Sequence, residues 1–206
     1  MFWIKLFILL VGFTFAGLLP YTVKKTIRHT KINLKTQTLS FLSNKSLYGK
    51  KHVKEYTRLL FSSAILLYIF FWLLSKFYDL GGYEKLMRDI DICFASLALL
   101  AFVPHNINPY SLENLKPTLQ RIMHNLLAVV VFLSIPGLII TYQLLILTKI
   151  PFLGLTGLII IGIVVLLTIF LFIKTGVNGS TELFFINGIA VWSIFVTVVT
   201  VLTQSK

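Results

Sequence analysis

Six apolar stretches, each close to the length that crosses a bilayer, constrain this chain more than any motif it carries. They run from about Phe2 to Val23, Leu59 to Phe77, Leu86 to Val103, Ile122 to Leu147, Pro151 to Ile173 and Leu183 to Leu202. A hydrocarbon core of about 30 Å takes about 20 such residues as a helix. Inside it, every backbone N–H and C=O must find a partner within the protein, which leaves helices and closed barrels. The alternating ten-residue segments of a barrel are missing, so helices are expected. The third stretch is the weakest, because only Ile92 to Val103 is free of charge and Arg88, Asp89 and Asp91 fall in its first turns. Composition agrees with the segments: 57% of residues are hydrophobic and 13% charged, and the mean hydropathy is +0.88, far from the values of soluble domains. The prediction is an all-α, polytopic membrane protein, a six-helix transmembrane bundle forming a single domain over residues 1–206. Lys5 followed by Leu6 to Leu19 resembles a signal peptide, but no small-x-small cleavage site precedes Pro20, so the segment is expected to remain as the first helix. The lone Cys93 reads as a small core residue.

Orientation follows from charge. A basic loop at 24–58 carries Lys24, Lys25, Arg28, Lys31, Lys35, Lys45, Lys50, Lys51, Lys54 and Arg58 against one acid, Glu55. Short basic loops stay on the cytoplasmic side. With six spans, both termini then lie outside, as do Asp79, Glu84, Asp89 and Asp91, while Lys116, Arg121 and Lys174 return inside. The net charge of +12 does not point to nucleic acid, because the basic loop lacks aromatic residues spaced for base stacking. Anionic lipid is the simpler partner, each basic residue near an acidic leaflet contributing about 1 kcal/mol. Within the loop, "TQTLSFLSNKS" reads as a turn that dips Leu39, Phe41 and Leu42 into the interface.

The stretch "PHNINPYSLENLKPTLQRIMHN" places His105 at the end of the third helix and His124 at the start of the fourth, on the face that also carries His29 and His52. A zinc or iron site wants three or four converging ligands, usually with paired spacing on one helix, and that spacing is missing. A bis-histidine haem needs ligands facing each other deep in a bundle. No metal and no cofactor are expected. His124 lies just inside an apolar segment, where a bundle-facing hydrogen bond, for instance to the third helix, is the ordinary reading and a headgroup-responsive role the sharper one.

Enzyme patterns are equally thin. GxSxG, SxxK and glycine-rich phosphate loops are missing, and Asp89 and Asp91 at a helix start suit the macrodipole without further chemistry. Gln143 and Asn187, the latter near Glu182, make no relay. Pro136-Gly137 interrupts the fourth segment with no counterpart in the first half, so it reads as a kink rather than a transporter's broken helix. Gly154, Gly157, Gly162 and Gly188 suggest close helix packing inside one chain.

"LKTQTLSFLS", "LLAFVPHN" and "RIMHNLLAVVVFLSIPG" together resemble a group of small bacterial and archaeal integral membrane proteins without an established reaction, distantly similar to the DRAM-like six-helix proteins. The resemblance covers about residues 10 to 140 and maps any family site onto Ser40, Pro104 and His124. It implies a six-helix bundle and no particular activity.

The expectation is a non-enzymatic protein of the cell inner membrane, a scaffold or sensor that engages anionic lipid headgroups or a partner protein, or a second copy of itself, through Lys24, Lys25, Arg28, Lys50, Lys51, Lys54, Arg121 and His124. The alternatives are a small transporter or channel for an amphiphile, which predicts a polar cavity from Gln143 toward Asn187, and a lipid-headgroup enzyme, which predicts His105 and His124 clustered with Glu113 or Glu55.

Overall fold

The computed structural model describes residues 1–30, 32–107, 110, 113 and 115–203; Lys31, Pro109 and Lys206 lie outside them. The chain is all-helical: α1 Phe2–His29, α2 Lys45–Phe77, α3 Glu84–Phe102, α4 Leu115–Leu147, α5 Pro151–Thr175 and α6 Gly179–Leu202, with a 3-10 turn at Leu39–Ser43 between α1 and α2. Five of the six, all but α3, are long and apolar enough to cross a membrane.

Each helix packs on its neighbours in sequence, and α6 returns to α1, so the six close into a ring. The axis of the ring is filled in one half by aromatic side chains from alternate helices. Phe71 of α2 stacks on Trp192 of α6, with centroids 5.7 Å apart, and Tyr142 of α4 meets both edge-on at 5.7 and 6.2 Å. All three are fully buried. Gln143 takes the orientation in which its amide nitrogen donates to the Leu153 carbonyl (3.1 Å) and its oxygen accepts from the Trp192 indole N–H (2.8 Å), so the Gln143 amide and the Trp192 indole satisfy each other, while the buried Tyr142 hydroxyl has no partner among the described residues. Small residues permit the approach: a Cβ on Gly157 would overlap the Gln143 side chain, and one on Gly12 would overlap Thr197. Gly154 and Gly188 likewise lie against Leu147 and Val164, whereas Gly162 faces open space.

Three helices run further than hydropathy suggests, all at the basic end. α1 continues through Arg28 and α2 starts at Lys45, so much of the basic stretch 24–58 is helix and the connection narrows to the segment between His29 and Lys45. Charged residues past the apolar core keep their backbone hydrogen bonds and extend their side chains to water, which hydropathy does not register. α2 bends at Gly49, whose φ of 78° is costly for any residue with a Cβ. α4 runs on unbroken past Pro136 and Gly137.

The connection between α1 and α2 is folded onto the bundle. The Gly179 and Ser180 N–H groups at the start of α6 donate to the carbonyls of Gln37 (2.8 Å) and Leu34 (3.1 Å), supplying acceptors for donors that a helix start leaves unpaired. Leu39 and Leu42, expected to dip with Phe41 into the membrane interface, are instead buried in the protein, Leu39 against Val23 and Leu59. At the opposite end, Lys149 Nζ donates to the carbonyls of Tyr78 (2.6 Å) and Asp79 (3.0 Å), and Lys5 Nζ to those of Val201 (3.1 Å) and Thr203, an arrangement in which a cation meets the free carbonyls of a helix C-terminus.

Trp192→Ala is expected to lower unfolding stability in detergent by about 3 kcal/mol or more, whereas Val191→Ala, at an exposed position, should change it by less than about 0.5 kcal/mol. Thermal unfolding of the purified variants measures both.

Candidate functional site

The basic end carries two concave regions that both reach Leu59. The outer one is a groove of about 630 Å³ between the end of α1 and the start of α2, lined among others by Lys25, Lys51, His52, Glu55 and Arg58. The lysines and Arg58 are exposed. His52 Nδ1 lies 3.4 Å from Glu55, which leaves the groove with three formal cations against one acid. Below the charges, Leu18, Tyr21, Thr22 and Leu59 continue the groove along the flanks of the two helices.

The inner region is a cavity of about 130 Å³ near the ring axis, with walls from α1, α2, α3, α4 and α6. Phe15, Leu67, Leu97, Val131, Phe185 and Ile189 are typical of its surface, and its polar groups are Ser40, Tyr56, Ser63 and Glu182. The Glu182 Oε2 accepts the Leu39 backbone N–H at 2.5 Å, and the Ser40 and Tyr56 side chains share the cavity wall with it. A gap of about 10 Å³, lined by Thr22, Thr26, His52, Glu55, Tyr56 and Leu59, lies between groove and cavity and shares residues with both.

The residues singled out from sequence divide between surface and interior. Lys24, Lys25, Arg28, Lys50, Lys51 and Lys54 are all exposed on the last turns of α1 and the first of α2, but of these only Lys25 and Lys51 line the groove. Arg121 lies on α4, its guanidinium 4.5 Å from the Tyr110 ring centroid. His124 is turned inward at 1% exposure, in the third turn of α4 rather than the first, and its Nδ1 lies 2.6 Å from the Val103 carbonyl that ends α3. His105 and His124 do meet, with ring centroids 5.1 Å apart, and Phe41 covers His105 at 5.0 Å. No group of three or more His, Cys, Asp or Glu side chains converges among the described residues, so Glu55 and Glu113 do not complete a cluster with the two histidines. The cavity lies in the half of the bundle opposite the aromatic plug. Neither Gln143 nor Asn187 lines it.

Sequence reasoning passed over Glu182 and Tyr56 and gave Arg58 no site role. The signal for Glu182 was present: an ionisable residue directly against an apolar span, here the one beginning at Leu183, is a candidate for function. Its place in the first turn of a helix disguised it as an ordinary N-terminal acid.

His105 carries the clearest electrostatic consequence outside the spans. Burial first, and then the neighbouring His124 and Arg121, push its pKa down from 6.5 to about 4. Because the folded value lies below the unfolded one, protonation favours unfolding, so the stability His105 confers is complete above about pH 6.5 and is lost as pH falls through about 4. Unfolding temperature should therefore drop between these pH values, and His105→Phe, which keeps a ring against Phe41 and cannot titrate, should flatten that part of the profile.

The chain matches no protein-family description, no curated protein and no solved structure.

Proposed function

We propose that this protein is a six-span, non-enzymatic component of the cell inner membrane, a scaffold or sensor whose basic end faces the cytoplasm and holds anionic lipid headgroups. The observation that carries the reading is the groove between α1 and α2. Lys25, Lys51 and Arg58 surround it at the level where the helices leave their apolar segments, and its lower wall is apolar. That profile suits a lipid lying against the protein, its acidic group among the cations and its chains along the helix flanks. Lys24, Arg28, Lys50 and Lys54 add attraction at longer range.

Two further observations support six spans. α3 has 19 residues, about 28 Å at 1.5 Å per residue, and it packs along both α2 and α4. Its charges gather at one end, where Asp89 accepts a hydrogen bond from Thr141 of α4 at 2.9 Å. The cytoplasmic assignment rests on the basic residues, since all but Lys5, Lys76, Lys85, Arg88, Lys149 and Lys206 of the 19 Lys and Arg belong to one end in sequence. The likeness to DRAM-like proteins is part of the same proposal, with Ser40, Pro104 and His124 all at that end.

A carrier for amphiphiles is the second reading, favoured by the interior cavity. The aromatic filling of the other half weighs against an open path along the axis.

Replacing Lys25, Lys51 and Arg58 together by Gln should weaken binding to phosphatidylglycerol vesicles at least tenfold at low salt, at about 1 kcal/mol per charge before screening. The wild-type advantage should shrink as salt rises. Equal binding by the two proteins in a flotation assay would remove the headgroup reading.

A further inference from the structure

The cavity beside Glu182 is separate from the basic groove and calls for a different ligand. We infer that it binds a single-chain, uncharged amphiphile, with the chain in the apolar part of the cavity and a hydroxyl head on Glu182 and Tyr56.

Size sets the chain. An apolar cavity of about 150 Å³ admits a benzene-sized group and stays dry when empty, so about 130 Å³ takes one narrow chain segment and not the paired chains of a phospholipid. The polar end sets the head. Glu182 is buried, and Oε2 accepts the Leu39 N–H. Oε1 takes no hydrogen bond from any described residue. Tyr56 is beside it on the cavity wall. A hydroxyl both donates and accepts, so it pairs with this carboxyl group whether ionised or protonated, and with the tyrosine in either sense. An acid head meets a carboxylate with no cation among the residues lining the cavity. An ammonium head must shed its hydration in an apolar space, a cost one carboxylate offsets poorly. The narrow gap at Tyr56 and Leu59 lies toward the outer groove, so the route proposed for the ligand runs between α1 and α2.

The site goes beyond the headgroup reading and is tested without it, in vesicles of phosphatidylcholine alone, where the basic groove has no net-anionic lipid. Octanol carrying an aliphatic diazirine is photolysed with the full-length protein, and labelled peptides are located by mass spectrometry. Saturable labelling of cavity residues such as Leu97 and Ile189, competed by octanol at least tenfold better than by octanoate or octylamine, is the expected result. Ala128→Phe and Ala190→Phe, each adding a ring to the cavity wall, should abolish that labelling while lipid-facing labels persist. Glu182→Gln, whose amide oxygen still accepts the Leu39 N–H, should weaken octanol about tenfold and improve octanoate. Labelling confined to lipid-facing residues, or undiminished in a filled variant with wild-type unfolding temperature, overturns the site. Octanoate or octylamine competing as well as octanol overturns the head assignment, and this comparison needs only the wild-type protein.

Discussion

The contact between Phe71, Tyr142 and Trp192 is what the rest of the structure depends on. A ring of six helices has an axis that must be filled or left hollow, and these three side chains come from alternate members of the ring. Each aromatic pair contributes about 0.5–1.5 kcal/mol beyond the area it buries. Their joint effect is to fix the distance between helices that are not neighbours. Gln143 then has one orientation that satisfies it, between Leu153 and Trp192, and Gly157 is required beside it. The aromatic half of the axis is solid, and the remaining half is where a cavity can exist.

The two ends of the bundle are closed by different chemistry. At the end away from the basic stretch, Lys5 and Lys149 place ammonium groups on free backbone carbonyls, and the Tyr78 hydroxyl donates to Thr200 at 2.8 Å. Those lysines are occupied by structure. At the basic end, neutral backbone does the closing: the segment before the 3-10 turn supplies carbonyls to the start of α6, and Glu182 holds Leu39 from within. Lys25, Lys51 and Arg58 are therefore left on the outside of the groove with Glu55 as its one carboxylate. The same folded segment that caps the cavity leaves these cations facing outward, which is how one end presents both a charged outer groove and an apolar interior.

Much of this was legible in the sequence, and the parts that were not have definite physical reasons. Six helices follow from segment length and from the demands of lipid on the backbone, and the weakness of the third stretch reappears in α3, the one helix not apolar enough to be counted as a span by composition. Helix ends at Lys45 and Leu115 were missed because hydropathy stops where charges begin while backbone hydrogen bonding does not. The meeting of His105 and His124 was readable as a shared membrane face. The inward turn of His124 onto the end of α3 is the bundle-facing hydrogen bond the sequence leads one to expect, and only its position in the third turn was not readable, because α4 begins two turns earlier. The cavity was not readable at all, since it is built from residues of five helices whose rotations about their own axes are set by packing, and the weak, evenly apolar faces of these helices carry little periodic signal.

Side-specific labelling tests most directly whether α3 crosses the membrane with the other five helices. In a Cys93→Ala background, single cysteines at Lys50, Gly82 and Asn106 would be exposed to a membrane-impermeant maleimide in intact spheroplasts. The proposed arrangement predicts that Gly82→Cys is labelled at once, and that Lys50→Cys and Asn106→Cys are labelled only after the membrane is permeabilised. Labelling of Gly82→Cys and Asn106→Cys from the same side would mean that α3 does not cross, and would contradict the six-span ring in its membrane.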